Sequence, residues 1–331
     1  GQAIYGPITD RIGRKPPLYF GLVLFAAASI GCAFATSVPM LIGLRFMQAL
    51  GGCAEMVVAR AMVRDLFDER DAIRVLSLLI LVMGLAPILA PLAGGQLLVN
   101  FGWQSIFYVL AGYAILCLGA VAMLPESLPV ERRRREDLGA IGRTYGMLLR
   151  DRQYMAYALS GALVISGMFA YIAGSPQVFI EVFGVPADRF GFFFGTNAAG
   201  LIAASQINGR LARRFSGRSI VRTVLPFTAT AGVVLFVDAI TGFGGFVGIL
   251  IPLFICVASV GFVLPNTVVL AMAPHGRVAG TASALLGLLQ FGLGAAAGAA
   301  VSAFNNGTQV PLAAIVATCV ISAFLIFQTS R

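Results

Sequence analysis

The chain has 331 residues, of which 59% are hydrophobic and 11% are charged, and its mean hydropathy is +0.91. Soluble domains carry about 25% charged residues, so this composition excludes a soluble globular protein and predicts one embedded in lipid. The net charge of +9 does not imply a nucleic-acid partner, because the basic residues are spread over short loops between apolar stretches.

Ten apolar stretches are long enough to cross a bilayer as helices, which takes about 20 residues each. In chain order they are Leu18–Thr36, Val38–Val63, Val75–Val99, Trp103–Leu124, Tyr154–Ile180, Phe190–Gly209, Val224–Ile240, Phe243–Pro274, Val278–Phe304 and Val310–Thr329. Asp238 lies near the end of one stretch, where we expect its side chain to reach the aqueous face of the membrane.

The basic residues define the orientation. Twenty of the 23 fall in loops on one side of the predicted membrane, whereas the opposite loops contain Arg189 alone. Since cytoplasmic loops carry the excess of Lys and Arg, the basic side is cytoplasmic. We find no phosphate-binding loop, metal-ligand cluster or nucleophile triad in the sequence, and therefore do not expect an enzyme.

The polar stretch Pro125–Arg152 separates four spans from six. We therefore predict an N-terminal bundle over residues 1–124, a cytoplasmic linker over 125–152 and a C-terminal bundle over 153–331. Apolar side chains recur in the linker at helical spacing, at Leu138, Ile141, Tyr145 and Leu148. This pattern predicts an amphipathic helix lying on the membrane surface.

Two loop segments repeat one pattern. Residues 6–15 read Gly-Pro-Ile-Thr-Asp-Arg-Ile-Gly-Arg-Lys and residues 209–218 read Gly-Arg-Leu-Ala-Arg-Arg-Phe-Ser-Gly-Arg. Repeated halves are typical of secondary transporters, which bind their substrate between the halves. If the first half matches the six spans of the second, two further helices are expected upstream, the second ending in residues 1–5.

Three motifs in chain order resemble signatures of the major facilitator superfamily. Residues 6–15 resemble its loop signature between helices two and three, and Leu41 to Gly51 resembles its helix-four motif, with Ala49 in place of a Gly. The segment Ala90-Pro91-Leu-Ala-Gly94-Gly95 is similar to its helix-five antiporter motif, with Ala90 in place of the first Gly. Strings such as Leu124-Pro-Glu-Ser127 resemble the Bcr/CflA drug-resistance transporters within that superfamily.

The resemblance implies an all-α membrane protein with the major facilitator fold, two pseudo-symmetric six-helix bundles seen here as about ten transmembrane helices plus a stub of helix two. It implies proton-coupled export of drugs or other small amphipathic compounds across the bacterial inner membrane by alternating access. The proton gradient is then the energy source and no cofactor is needed. Expected partners are a small-molecule drug or metabolite, protons and the lipid bilayer, without nucleic acid, for a monomeric protein. Export of an endogenous metabolite and a truncated, transport-dead protein are the alternatives.

The first motif implies a cytoplasmic latch. By resemblance it comprises Gly6, Asp10, Arg11, Gly13, Arg14 and Asp65. Asp10 can cap a helix N-terminus, and Arg14 can pair with a carboxylate at a neighbouring helix end, for which Asp65 is the candidate. The alternative is that the loop serves only as a topological anchor.

Three charged residues lie on one predicted spanning helix, Arg45, Glu55 and Arg60. A charge at mid-bilayer costs about 2.5–3.5 kcal/mol on insertion scales, so we expect all three to face a wet cavity or pair with one another. Arg45 and Arg60 are about 60° apart around the helix and can share one face. The resemblance implicates Arg45 in proton coupling, while Glu55 is a second proton site, a partner for an Arg or a substrate contact.

Two further groups of candidates lie inside predicted spans. The antiporter motif contains Pro87, Pro91, Gly94 and Gly95, which serve either as a hinge that seals the path against proton leak or as sites of tight helix packing. Uncharged polar residues either line the drug path or form hydrogen bonds between helices; the substrate-path candidates are Gln177, Asn197, Asn266 and Gln290.

Overall fold

The structure is a computed structural model that describes residues 1, 5, 8–9, 11–66, 89–90, 93–129 and 138–330. Over these residues the ordered secondary structure is helical, without a β-strand. The chain divides into two compact units, Gly1–Ala140 and Ile141–Arg331.

The described part of the first unit contains three long helices, α1 (Lys15–Ala33), α2 (Val38–Leu66) and α3 (Gln104–Met123), and a helical stretch over residues 93–101. Helix α1 packs against both α2 and α3. The shared core is built from apolar side chains of the three helices: Leu18, Leu22, Ala26, Val58, Met62, Ala114 and Val121. Helix α1 begins with Pro16 and Pro17 in its first turn, where the missing N–H groups would have no intrahelical partner.

The second unit begins with α4 (Leu138–Arg150), whose first residues precede the boundary between the units, and continues with six long helices. These are α5 (Arg152–Pro176), α6 (Ala187–Leu211), α7 (Gly217–Thr241), α8 (Gly245–Met272), α9 (Ala279–Ala303) and α10 (Val310–Gln328). Helix α5 is central, because it packs against α8, α9 and α10. Helix α8 also packs against α6 and α7.

Local chemistry explains the ends of several helices. Asp151 begins α5 as its N-cap, since its Oδ1 accepts the N–H groups of Gln153 and Tyr154, both at 2.9 Å. Ser216 begins α7 in the same way, with Oγ accepting the N–H of Ser219. Helix α7 ends at Gly242, whose φ of +67° is the left-handed conformation that a glycine adopts without strain. Beyond Pro176, α5 widens into a π-helical turn over Gln177–Val182.

Eight of the described helices are long and apolar enough to cross a membrane. They match eight of the ten predicted spans. The stretch Phe190–Gly209 also forms a helix, α6, but polar residues such as Asn197 and Gln206 lower its hydropathy, and it is not among the eight. Most of Val75–Val99 lies outside the described residues.

Two local predictions were wrong. Leu148 of α4 is fully buried in a core cluster of the second unit that includes Tyr154, Val221 and Leu225, so the apolar face of α4 packs against protein instead of lying on the membrane surface. Asp238 does not reach water: only 9% of it is exposed, and its Oδ1 accepts the N–H of Gly244 at 2.6 Å. The turn after α7 folds back over this carboxylate, which the apolar pattern of the helix does not reveal.

Candidate functional site

A close crossing of α1 and α2 positions the charged residues of the first unit. A Cβ at Gly51 would lie 2.5 Å from the carbonyl oxygen of Gly21, and a Cβ at Gly21 would lie 2.7 Å from the carbonyl oxygen of Gly51. Glycines at these two positions therefore allow the backbones to touch, as small residues do where membrane helices pack closely. The crossing brings the N-terminal half of α2 against the C-terminal half of α1.

A hydrogen-bonded chain runs from Arg45 across this interface. The Arg45 Nη1 donates to Gln48 Oε1 at 2.5 Å, Gln48 Nε2 donates to Ser29 Oγ at 2.6 Å, and Ser29 Oγ donates to the Phe25 carbonyl at 2.7 Å. Gln48 is only 2% exposed and Ser29 is fully buried. The guanidinium of Arg45 also lies over the ring of Phe107, 5.8 Å from its centroid.

This chain fixes a positive charge inside a membrane span. Arg45 lies within Val38–Val63 and stays exposed at the surface of the unit apart from these contacts. Charged side chains at this depth face a water-filled cavity or a partner because lipid does not solvate them. The sequence indicated Arg45, and Gln48 follows it at the i+3 spacing at which helix side chains can contact each other. The contribution of Ser29 from a second helix was not predicted.

Glu55 is half-buried on the same helix. Ten residues separate it from Arg45, a rise of about 15 Å along the helix, so the two do not pair directly. The side chain of Arg60 lies outside the described residues. Of the three predicted charges, Arg45 and Glu55 therefore do not form a direct pair.

The predicted contact of the latch, between Arg14 and Asp65, is present near the start of α1 and the end of α2. The Arg14 Nε donates to Asp65 Oδ2 at 2.8 Å, and its Nη1 donates to Thr9 Oγ1 at 3.1 Å. Arg14 is only 2% exposed, so this ion pair is shielded from solvent. Gly13 has a φ of +103°, which a side chain would strain.

The other members of the predicted latch are less completely defined. Arg11 is exposed and takes part in further contacts. Gly6 and Asp10 lie outside the described residues, so the proposed capping role of Asp10 stays a prediction.

Glu126 completes the latch and was not singled out from the sequence. Its Oε1 accepts the backbone N–H of Arg14 at 2.8 Å, and its Oε2 accepts that of Lys15 at 3.1 Å. The carboxylate thus caps the positive N-terminal end of α1, from a position 112 residues away. In addition, Lys15 Nζ donates to the carbonyl of Leu124 at 2.6 Å, which connects the start of α1 to the end of α3.

The antiporter motif is only partly described. Gly94 and Gly95 lie in the helical stretch 93–101, and a Cβ at either would meet no atom of the described chain within 4 Å. Contacts within the described part of the chain therefore do not explain these two glycines by tight helix packing. Pro87 and Pro91 lie outside the described residues.

Most substrate-path candidates already have partners within the second unit. Asn197 is 1% exposed and donates to Tyr171 Oη at 3.0 Å, and Asn266 donates to Asn208 Oδ1 at 2.6 Å. Gln177 donates to Asn305 Oδ1 at 2.5 Å near the other end of α5. Gln290 is half-buried on α9. These contacts fit interhelical hydrogen bonds, and a role in binding substrate stays a prediction.

Spanning helices that hold a hydrogen-bonded charge within the bilayer are typical of an integral membrane transporter rather than of an enzyme. Residues 1–328 match the family Major Facilitator Superfamily. The chain is 37% identical over 335 residues to the uncharacterized MFS-type transporter YdgK of Bacillus subtilis, covering 100% of this chain and 83% of that protein. It therefore belongs to the major facilitator superfamily and is a secondary membrane transporter.

Two other relatives have names that specify an activity. The chain is 32% identical over 340 residues to the bicyclomycin resistance protein homolog of Haemophilus influenzae, covering 100% of this chain and 84% of that protein. It is 30% identical over 290 residues to the multidrug resistance protein MdtL of Escherichia coli, covering 86% of this chain and 71% of that protein.

Solved structures confirm the fold. The crystal structure of a D-xylose-proton symporter matches with a TM-score of 0.74 at 17% identity, over 99% of this chain and 83% of that one. A partially occluded, inward-open structure of the xylose transporter XylE from E. coli matches with a TM-score of 0.70 at 15% identity, over 99% of this chain and 84% of that one. The all-α major facilitator fold predicted from the motifs is thus confirmed.

Proposed function

We propose that this protein exports drugs or other small amphipathic compounds across the bacterial inner membrane in exchange for protons, by alternating access. The observation that carries the proposal is the Arg45–Gln48–Ser29 chain, a fixed charge inside a membrane span. The drug-resistance names of two relatives support the substrate class.

In this proposal Arg45 acts through its field. A guanidinium stays protonated at physiological pH and cannot itself carry the transported proton. Its positive charge instead favours the ionised form of an acid that approaches it and the release of that acid's proton. Gln48 and Ser29 hold the guanidinium in place, since Gln48 is buried between α1 and α2. Glu55 is a protonatable candidate on the same helix, acting about 15 Å away through water or a helix movement rather than by direct contact.

The latch has a separate role in the proposal. The carboxylates of Asp65 and Glu126 tie the start of α1 to the ends of α2 and α3. Since charge-assisted hydrogen bonds are strong and directional, these contacts stabilise one arrangement of the cytoplasmic helix ends. Their rupture and reformation would accompany the alternation of access between the two faces.

An accumulation assay tests the proposal. The full chain is expressed in a bacterial host that lacks its own efflux pumps, and intracellular bicyclomycin or a fluorescent cationic dye is measured with and without a proton uncoupler. Lower accumulation than in the empty host, abolished by the uncoupler, is the expected result. Accumulation equal to that of the empty host would contradict drug export, and proton-dependent uptake of an endogenous metabolite in vesicles would then identify the alternative substrate class.

A further inference from the structure

A groove opens where the second unit enters the membrane, at the junction of α4 and α5. Its volume is about 610 Å³, and it is lined by Arg143, Gly146, Met147, Arg150 and Asp151. Arg152 begins the first membrane span of the unit, so the groove lies within one or two helical turns of the bilayer boundary. Phospholipid headgroups occupy this depth.

The groove is positively charged. Arg143 and Arg150 are both exposed and are seven positions apart, which places them within about 20° of each other around α4. The sequence of α4 contains no acidic residue. Burial raises the pKa of the Tyr145 hydroxyl on this helix above its ordinary value, so it adds no negative charge near neutral pH.

The carboxylate of Asp151 at the groove is already engaged. Its Oδ1 accepts the N–H groups of Gln153 and Tyr154, and its Oδ2 lies 3.1 Å from His275 Nε2. The two N–H groups at the start of α5 partly offset its negative charge. Two guanidinium groups therefore determine what the groove attracts.

An apolar surface lies between the two charges. Met147, one turn after Arg143 and about 40° from it around α4, lines the groove and is 49% exposed. The opposite face of α4 packs against protein, because Leu148 is fully buried in the core of the second unit. The outer face thus presents a cation, a flexible apolar side chain and a second cation, which suits a ligand with an anionic head and an apolar tail.

We propose that this groove binds an anionic phospholipid of the cytoplasmic leaflet, whose headgroup phosphate lies between Arg143 and Arg150 and whose acyl chain packs against Met147. Such a lipid would fasten α4 to the membrane surface through its basic face while its apolar face stays packed on the protein. Basic pockets on the cytoplasmic side of membrane proteins are known to recruit anionic headgroups in this way. The inference does not depend on the transported substrate.

The test uses lipid binding to the purified full chain in neutral detergent. Phosphatidylglycerol is titrated into the protein, and binding is read from native mass spectra and from the rise in the thermal unfolding midpoint. Phosphatidylcholine is the neutral comparison. The variants are Arg143→Gln with Arg150→Gln, and separately Gly146→Phe, which fills the groove and keeps both charges because a Cβ there meets no atom of the described chain within 4 Å. The matched control is Arg213→Gln with Arg214→Gln, two exposed arginines of the loop after α6.

We expect about five-fold weaker phosphatidylglycerol binding for each groove arginine removed, from the ~1 kcal/mol that one basic residue contributes near an anionic surface. Gly146→Phe should weaken binding to a similar extent, whereas the loop control should bind as the unchanged protein does. Equal midpoints of all variants in phosphatidylcholine establish that they are folded.

Three results would overturn the proposal. One is undiminished binding by both groove variants, and another is an equal loss in the loop control, which would mean that the lipid senses only total charge. The third is displacement of phosphatidylglycerol by inorganic phosphate alone, since that would make the groove a site for the free anion rather than for a lipid.

Discussion

The two helical units bury different kinds of polar group. In the first unit, Arg14 is 2% exposed and paired with Asp65, and Arg45 is held within a membrane span by Gln48. In the second unit, the described spans are joined by neutral pairs, as of Asn197 with Tyr171 and of Asn266 with Asn208, while charged contacts such as that of Arg218 with the Ser330 carbonyl lie at helix ends. The buried charge of Asp238 lies at a helix end.

The difference has an energetic side. A charge at the bilayer centre costs about 2.5–3.5 kcal/mol on insertion scales, whereas neutral amides and hydroxyls satisfy one another at lower cost. We infer that the charges of the first unit are retained for coupling and switching. The neutral pairs of the second unit then set how its helices pack.

Neutralising Arg45 should have the largest effect. Arg45→Gln removes the fixed charge of the first unit and is expected to reduce uncoupler-sensitive drug export to the level of the empty host. The comparison variant is Asn197→Ala, which breaks a neutral contact of the second unit. This variant should still export the drug, and the uncoupler should still abolish that export. Both are measured by drug accumulation at matched expression. Full export by Arg45→Gln would contradict the assignment of coupling to the first unit.

Breaking the ion pair of the latch should have the next largest effect. A double-mutant cycle with Arg14→Gln and Asp65→Asn should give a coupling energy of up to about 3 kcal/mol, because removing one partner leaves a buried charge uncompensated. The free energy of unfolding in detergent measures it. The control is Arg213→Gln on an exposed loop, which should change stability by less than about 0.5 kcal/mol. A coupling energy near zero would show that the pair is solvated and not a latch.

The close crossing of α1 and α2 offers a test without charge. Gly51→Ala places a methyl group 2.5 Å from the Gly21 carbonyl oxygen, and the resulting overpacking should cost about 1–3 kcal/mol. Its neighbour Gly52→Ala is the control, because a Cβ there is 3.5 Å from the ring of Phe25, an ordinary contact. Equal unfolding free energies for the two variants would mean that the helices separate easily and that the position of Gln48 does not depend on the crossing.

Sequence patterns predicted the helices, the charged residues and one partner, Asp65, but not the other partners of those residues. Length and continuity of the apolar stretches were enough to find eight spanning helices, and the ion pair of Arg14 with Asp65 followed from a motif. Glu126 was missed because its role requires two segments 112 residues apart to meet. Ser29 was missed for the same reason, since it meets Gln48 across a helix interface.

The failed predictions have a similar physical origin. The burial of Asp238 depends on a turn that contains two glycines at positive φ, Gly242 and Gly245, which direct the N–H of Gly244 onto the carboxylate. The packing of α4 depends on the core around Leu148. An amphipathic pattern specifies that one face is covered and leaves open whether protein or lipid covers it.

The amide pair of Asn208 and Asn266 should give the smallest effect. Asn266 Nδ2 donates to Asn208 Oδ1 at 2.6 Å and to its own helix at the Phe262 carbonyl at 2.7 Å. A double-mutant cycle with both residues changed to Ala should give a coupling energy of about 0.6 kcal/mol, the average for hydrogen bonds between membrane helices. Thr318→Ala is the control, because Thr318 donates within its own helix to Ala314 and should leave stability nearly unchanged.

The size of this coupling decides whether the two units differ in kind. Neutral side chains that lose one partner in a membrane find another, so their pairing energy stays small. A guanidinium or carboxylate that loses its partner has no such substitute in a low-dielectric setting. If the Asn208–Asn266 coupling equalled that of Arg14–Asp65, the separation into a charged coupling unit and a neutral packing unit would fail, and the second unit would also have to be searched for a switch.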